Sequence, residues 1–316
     1  MKEIGGYLEL ENFAGNEYYP DSIALNTARN ALVYLVKAKG IEKIYIPYFL
    51  CDSVSGVCER EKIAYEYYHI DESFHPVFDK KIKEGEWVYI VNFYGQLDED
   101  DVLKYKNRFD RIIFDNVQAF FSAPVKDVDT IYSCRKFFGV SDGAYLISDC
   151  PRLDIAVDSS KERMKHLLGR YEERTASDYY MDFKANDRSF SELPVRYMSR
   201  ITHNLLGAIN YVDIAEKRNK NFAALHSRLS SYNKLNLKTL YGPYMYPFYC
   251  ADGMTVKKAL AEKNIYVPTL WPNVLDFEEC ELEKDYAKNI LPLPCDQRYD
   301  INDMLRIIAE VTALIK

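Results

Sequence analysis

Residues 111–147 read RIIFDNVQAFFSAPVKDVDTIYSCRKFFGVSDGAYLI. Short apolar runs separated by polar turns occur three times in this stretch, at Arg111–Phe114, Thr130–Tyr132 and Ala144–Ile147. Continuous apolar runs of this length are typical of strands covered on both faces of a sheet. Asp115 follows the first run, and Lys136 comes shortly after the second. The stretch therefore predicts buried strands with ionisable groups at their carboxyl ends.

The same pattern extends toward the N-terminus. Four further apolar runs bring the number of predicted strands to seven: Ser22–Leu25, Lys43–Ile46, Ile63–Tyr68 and Trp87–Val91. Helical patterns lie between several of the runs, at Ala28–Lys39, Cys51–Arg60 and Glu99–Arg108. Alternation of strands and helices favours an α/β fold with a mainly parallel sheet and right-handed crossovers.

The second half of the chain has a different pattern. The charged stretch 161–191 indicates exposed helix and loop, and the apolar periodicity of 201–229 predicts one long helix. Short strands bounded by proline flank a predicted helix at Thr255–Lys263, and a last helix is expected at Asn302–Ile315. We expect a large α/β domain over residues 1–215 and a smaller α+β domain over residues 216–316.

The composition excludes several classes of protein. Of the 316 residues, 48% are hydrophobic and 28% are charged, which is typical of a globular chain and not of a disordered one. The formal net charge of −7 and the lack of a basic run argue against nucleic-acid binding. No apolar stretch is long enough to cross a bilayer, and the N-terminus lacks the apolar region of a secretory signal. We expect a cytoplasmic location.

The cysteines and histidines show no metal-binding pattern in sequence. The seven cysteines are irregularly spaced without a Cys-x-x-Cys pair, and the five histidines lack HExxH spacing. Neither a zinc motif nor a disulfide framework is predicted. A dispersed site with three ligands remains possible.

Polar residues at three strand ends indicate a cofactor. Ligands of open α/β sheets bind at the carboxyl ends of the strands. There the sequence places a small polar strand-to-helix turn at 27–29, the acid Asp115 with Gln118 after it, and the amine of Lys136. Pyridoxal phosphate needs these groups, because its phosphate binds backbone donors, its ring nitrogen a carboxylate, and its aldehyde a lysine.

In their order and in their residues, these motifs resemble those of the DegT/StrS-type sugar aminotransferases, within the fold-type-I superfamily of pyridoxal-phosphate enzymes. Each motif is short, but they occur in the same order over nearly the whole chain. The matching segments are Thr27–Arg29, Glu42–Pro47, Val91–Gln96, Phe114–Ala119, Ser133–Gly143, Arg196–Ser199 and Leu291–Pro294.

The resemblance implies a role for each candidate residue. Lys136 would form the Schiff base and act as general base, and Asp115 would keep the ring nitrogen protonated. Gln118 would bind the ring hydroxyl. The remaining cofactor contacts would come from the phosphate ligands Thr27, Ala28 and Arg29, from Ser133, and from Phe49 as the residue stacked on the ring.

The sequence departs from the family at four points. Arg29 stands where a small hydroxyl residue is usual, and Lys136 follows Ser133 by three positions instead of five. Cys51 occupies the offset expected for the stacking aromatic, so Phe49 or Tyr48 would have to replace it. Val195 stands where the family commonly has an asparagine that reaches the partner subunit's cofactor.

By this resemblance the chain would be an aminotransferase that moves an amino group from an amino acid, usually glutamate, to a keto sugar, typically nucleotide-linked. Fold-type-I sites lie at subunit interfaces, so a homodimer is expected. One alternative is a fold-type-I protein with another pyridoxal-phosphate reaction, or with a regulatory or assembly role in place of catalysis. A second is an unrelated α/β binding or transferase domain.

Overall fold

The computed structural model describes residues 4–315, and a single large sheet dominates it. Eight strands are arranged in the order β1-β8-β7-β6-β5-β2-β3-β4. They are Ile23–Leu25 (β1), Lys43–Pro47 (β2), Ala64–Ile70 (β3), Pro76–Val77 (β4), Glu86–Val91 (β5), Ile112–Asp115 (β6), Asp129–Ser133 (β7) and Ala144–Ile147 (β8). A separate antiparallel pair consists of Tyr246–Tyr249 (β9) and Ile290–Leu293 (β10).

Ten helices accompany the strands in the described part of the chain. They are Ala28–Lys39 (α1), Asp52–Glu61 (α2), Glu99–Phe109 (α3), Lys165–Glu173 (α4), Tyr180–Ser189 (α5), Arg200–Gly207 (α6), Tyr211–Leu229 (α7), Gly253–Glu262 (α8), Glu281–Asn289 (α9) and Ile301–Ile315 (α10). Within residues 4–315, no helix combines the length and the apolar character needed to span a membrane.

The mainly parallel sheet agrees with the sequence prediction, with one additional strand. The pairs β2–β3, β2–β5, β5–β6 and β6–β7 are parallel, whereas β8 runs antiparallel to β7 and to β1. All seven predicted strands are present. The eighth, β4, has two residues and begins with Pro76. It is too short for a periodicity to reveal, and proline is tolerated there because the strand lies at the sheet edge.

The direction of the strands places the candidate residues at one edge of the sheet. Because β1 and β7 are both antiparallel to β8, the two run in the same direction as β6. Their carboxyl ends therefore meet at one edge. That edge holds the N-terminus of α1, Asp115 at the end of β6, and the turn after β7 that carries Lys136.

The predicted long helix over 201–229 is wrong in one respect, because it is divided into α6 and α7. The helix α6 ends at Gly207, and Asn210 caps the next helix, its side chain accepting a hydrogen bond from the Asp213 amide. Glycine is a poor helix interior residue and asparagine a strong N-cap, so the two interrupt an apolar periodicity that continues across them.

A second hydrophobic core lies in the C-terminal part of the chain. It contains side chains of α7, α8, α10 and the β9–β10 pair, among them Phe222, Phe248 and Met304. The helix α7 also contributes Ala215 to a cluster around Phe120 and Tyr132. A domain boundary near residue 215 would fall inside this helix, and the division stays a prediction.

Candidate functional site

Asp115 is a buried carboxylate held by two donors. It ends β6 with 2% of its surface exposed. The Tyr89 hydroxyl donates to Oδ2 at 2.7 Å, and the Val117 amide donates to Oδ1 at 2.8 Å. Burial raises the pKa of Asp115, while the charge of Lys136 and the Tyr89 hydrogen bond oppose that rise. A carboxylate fixed in this way can bind a cationic or protonated group presented at the sheet edge.

Lys136 lies in a tight turn after β7. The amides of Phe137 and Phe138 both donate to the Cys134 carbonyl, at 3.0 and 2.9 Å, which fixes the backbone around the lysine. The Lys136 Nζ lies 5.7 Å from the centroid of the Tyr244 ring. Burial lowers the pKa of Lys136, and the charge of Asp115 opposes the lowering. A lowered pKa increases the fraction of neutral amine, which is the form that attacks a carbonyl.

Two arginines add positive charge near Lys136. Arg29 and Arg135 both lower the pKa of Lys136 further. Burial lowers the pKa of Arg135 itself to about 10, its guanidinium lies 4.1 Å from the Phe190 ring, and it pairs with Asp187 at 3.3 Å. Arg29 and Arg135 thus provide guanidinium groups near Lys136 that can bind an anionic ligand.

Lys136 and Asp115 interact electrostatically but do not form a salt bridge. Each contributes to the other's pKa, yet no direct salt bridge joins these two described side chains. Because the two side chains do not pair with each other, each can bind a separate group of a ligand at this edge of the sheet.

Gln118 contributes an unpaired donor to the same region. Its side chain is 1% exposed, and its Oε1 accepts a hydrogen bond of 2.7 Å from the Tyr94 amide. The Gln118 Nε2 and the Tyr94 hydroxyl are buried and have no partner among the described residues. Buried polar atoms are rarely left unpaired, so these two atoms point to a polar ligand.

The predicted phosphate turn forms the N-terminus of α1. Thr27 is the N-cap, and its Oγ1 accepts a hydrogen bond of 3.1 Å from the Asn30 amide. The amides of Ala28 and Arg29 lie in the first turn, where backbone N–H groups have no partner within the helix. Such a helix end can bind a phosphate, but this one also resembles an ordinary capped helix start.

Ser133 and Phe49 are in the core of the molecule. Ser133 ends β7, where it pairs with Ala144 of β8 and is 8% exposed. The ring of Phe49 is fully buried, 5.0 Å from the Trp271 ring and 5.3 Å from the Phe93 ring. Their contacts with a cofactor stay predictions. Cys51, at the offset expected for a stacking residue, interacts electrostatically with Lys136.

The Arg196–Ser199 segment holds the loop that carries Lys136. Ser199 donates to both oxygens of the buried Asp142, from its hydroxyl at 2.8 Å and from its amide at 3.0 Å. Thr202 also donates to Asp142. Val195, in contrast, packs against the main core of its own chain. The motif identified in sequence therefore has a structural role within this chain, whatever a partner subunit adds.

Three residues near the site were not predicted as site residues. Tyr89 lies within β5 and reaches Asp115 because the two strands pair in a particular register, with Val91 opposite Asp115. Tyr244 comes from a distant segment that no local pattern connects to Lys136. Tyr94 was detectable from sequence, because it lies in the Val91–Gln96 motif. In the structure its backbone is left-handed, with φ of 53°, which is uncommon outside glycine.

Two surface clefts of the molecule lie elsewhere. They are lined by the segment 12–24 together with parts of 145–157 and of 197–207. Neither contains a predicted cofactor residue. The site described above is thus identified by its buried charges and unpaired donors, and not by a cleft.

The residues present fit pyridoxal phosphate. A buried acid, a half-buried lysine that does not pair with it, and an unpaired amide donor lie at one sheet edge beside an open helix N-terminus. These are the partners that the ring nitrogen, the aldehyde, the ring hydroxyl and the phosphate require.

Comparison with known proteins gives a likeness in structure alone. No protein-family profile matches the chain, and no curated protein sequence is similar to it. Several solved structures match over 93% of the chain. A DegT/DnrJ/EryC1/StrS aminotransferase from Brucella abortus is 14% identical, with a TM-score of 0.63 and 85% of that chain covered.

Two further matches carry ligands. NtdA from Bacillus subtilis, with bound cofactor PMP, is 13% identical with a TM-score of 0.63, and 73% of that chain is covered. DesI, in the presence of its TDP-sugar product, is 12% identical with a TM-score of 0.61, and 80% of that chain is covered. At these identities the likeness establishes the fold: this chain has the fold of the DegT/DnrJ/EryC1/StrS sugar aminotransferases.

Proposed function

We propose that the protein is a pyridoxal-phosphate-dependent aminotransferase acting on a keto sugar. The observation that carries this proposal is that Lys136 and Asp115 lie at the sheet edge without pairing, with the unpaired Nε2 of Gln118 three residues after Asp115 in the chain. The fold and the ligands of the structural matches support it.

Each residue would do a separate task. Bound pyridoxal phosphate supplies an electron sink that stabilises negative charge on the α carbon of an amino donor. Lys136 would hold the aldehyde and, once released, move a proton at the donor's α carbon, which a lysine of lowered pKa does well near neutral pH. Asp115 would hold a proton at the pyridine nitrogen. Gln118 would donate to the ring hydroxyl, and the amides of Ala28 and Arg29 would bind the phosphate.

The acceptor is the less constrained part of the proposal. The resemblance implies a keto sugar linked to a nucleotide and an amino-acid donor, glutamate in the first instance. The TDP-sugar product in DesI supports the same class of substrate. Arg29 and Arg135 give the site a positive charge that suits both a donor carboxylate and a nucleotide diphosphate.

The experiment that tests the proposal is covalent trapping. The purified protein, reconstituted with pyridoxal phosphate, should absorb in the visible range, and borohydride should fix the cofactor to the peptide that contains Lys136. Peptide mass spectrometry locates the label, and incubation with glutamate and a nucleotide-linked keto sugar tests turnover.

Lysine variants provide the control. Lys136→Ala should lose the label, whereas Lys257→Ala, at a lysine whose pKa burial also lowers, should retain it. A label on another lysine of wild type would overturn the assignment. A label on Lys136 without turnover of any donor would favour the alternative of another reaction or a non-catalytic role on the same fold.

A further inference from the structure

We infer that His69, Cys280 and Glu283 form a zinc site, separate from the proposed cofactor site, that ties α9 to β3. A ligand atom from each of the three side chains lies within 4.8 Å of the other two. His69 is on β3, Cys280 precedes the first residue of α9, and Glu283 lies in its first turn.

Glu283 carries its carboxylate at a buried position. The residue is 1% exposed, and among the described residues its carboxylate pairs with no lysine or arginine. Its Oε1 meets the Ile70 amide at 3.1 Å and His69 Nδ1 at 3.0 Å. A buried carboxylate is costly unless it is paired or coordinates a metal, and a metal bound here would contact Glu283 and His69 together.

Cys280 completes the set with an unused sulfur. It is fully buried, and its thiol makes no hydrogen bond to any residue between 4 and 315. As the N-cap of α9 it provides no side-chain hydrogen bond to the helix. A position where serine or aspartate would cap the helix thus carries a side chain suited to a metal.

The ligand types favour zinc. One thiolate, one imidazole and one carboxylate are all common zinc ligands, whereas calcium and magnesium prefer oxygen alone. The thiol loses its proton to solvent as the sulfur–zinc bond forms, so the two anionic ligands balance the charge of Zn²⁺. The side chain of His69 is 44% exposed, which leaves an approach for the ion and a fourth position for water.

The site would join distant parts of the chain. Glu283 and His69 are separated by 214 positions, and the imidazole is held in place by the Tyr48 ring, whose centroid lies 4.7 Å away. Zinc bound here would stabilise the contact between the C-terminal part of the chain and the sheet.

Equilibrium dialysis of the full-length holoenzyme against zinc, after chelator treatment, tests the inference. Wild type should bind one zinc per chain more than Cys280→Ala does, and zinc should raise the unfolding temperature of wild type alone. His69→Asn, at a half-exposed position, should show the same loss. Zinc that binds to other groups, such as the cofactor phosphate, would bind equally to wild type and to the variants, so it would not affect the difference.

Matched variants and spectroscopy decide the outcome. Cys250→Ala and His226→Asn, at a buried cysteine and a histidine outside the cluster, should bind zinc as wild type does. X-ray absorption at the zinc edge should show one sulfur ligand. Equal zinc binding by wild type, Cys280→Ala and His69→Asn, or a spectrum without sulfur, would overturn the inference. Neither result would bear on the cofactor site.

Discussion

The hydroxyl of Tyr89 donates a hydrogen bond of 2.7 Å to Oδ2 of Asp115 across two neighbouring parallel strands. Both side chains are almost fully buried, so the bond lies in a medium of low polarity. Hydrogen bonds to a charged acceptor are stronger than neutral ones, and this one stabilises the ionised form of an acid that burial disfavours. Tyr89 on β5 therefore opposes the rise in the pKa of Asp115, which ends β6.

Removing the Tyr89 hydroxyl should destabilise the fold, because the Asp115 carboxylate then loses a hydrogen-bond donor. We expect Tyr89→Phe to lower the free energy of unfolding by about 1.5–3 kcal/mol, the range for hydrogen bonds to charged groups. Tyr68→Phe is a matched control, since it removes a buried hydroxyl that donates to the Tyr89 carbonyl at 2.8 Å. The control should cost about 1 kcal/mol. Urea unfolding measures the free energy of unfolding of both variants. Equal losses would contradict the expectation that the Tyr89 hydrogen bond is the stronger of the two.

Replacing Asp115 should separate cofactor binding from catalysis. Asp115→Asn keeps the size of the side chain but cannot hold a proton at the pyridine nitrogen. We expect the variant to retain bound cofactor and to lose most turnover, by a factor of about 10²–10³, the usual effect of removing one electrostatic group. Absorbance titration and steady-state kinetics test the two parts, and near-native turnover would exclude the proposed role.

The same substitution should change how stability depends on pH in the cofactor-free protein. Because the folded pKa of Asp115 is raised, its contribution to stability is present below its unfolded pKa, roughly 4, and is lost as pH rises through the folded pKa. Asparagine does not titrate. The stability of Asp115→Asn relative to wild type should therefore increase as pH rises from about 4 toward neutrality.

Asp296 offers a control of opposite sign. Burial favours a higher pKa there, but the Arg298 side chain outweighs it and the pKa of Asp296 is lowered. Its contribution to stability is present above the unfolded pKa and is lost as pH falls through the folded pKa. Asp296→Asn should thus be least stable relative to wild type near neutral pH and should recover in acid. Urea unfolding over a series of pH values would contradict the assignment if both differences changed in one direction.

The Ser199 hydroxyl should contribute to stability, because it binds Asp142 in the loop that carries Lys136. Removing its hydroxyl leaves the fully buried Asp142 with one donor fewer, which should cost about 1–3 kcal/mol of unfolding free energy. Ser227→Ala, at an exposed serine in α7 that bonds only to its own helix, should change stability by about 0.5 kcal/mol or less. Chemical denaturation compares the two. A loss at Ser199 no larger than at Ser227 would show that Asp142 does not depend on this donor.

Dimerisation is expected from the resemblance. The segment near the N-terminus exposes Ile4, Tyr7 and Leu8 almost completely, as a surface covered by a partner would. Light scattering at micromolar concentration should return twice the chain mass of 36.9 kDa. Tyr7→Ser combined with Leu8→Ser should shift the mass toward the monomer if this segment takes part, and Tyr232→Ser should not. A monomeric wild type would contradict the prediction.

Local sequence determined the strands and the ends of strands. Runs such as Ile112–Phe114 are buried on both faces, so their apolar character is continuous and marks each strand without knowledge of its neighbours. The polar residue that follows such a run must lie at the sheet edge. Asp115 and the turn with Lys136 were predictable for this reason.

Contacts between distant segments depended on the tertiary structure. Tyr89 reaches Asp115 only in the register that pairs Val91 with Asp115, and a shift by one residue would turn the hydroxyl to the other face. Ser199 binds Asp142 across 57 positions, and Glu283 meets His69 across 214. Such pairs follow from how helices and strands pack, and the periodicity of a single segment holds no information about the side chain that will lie opposite.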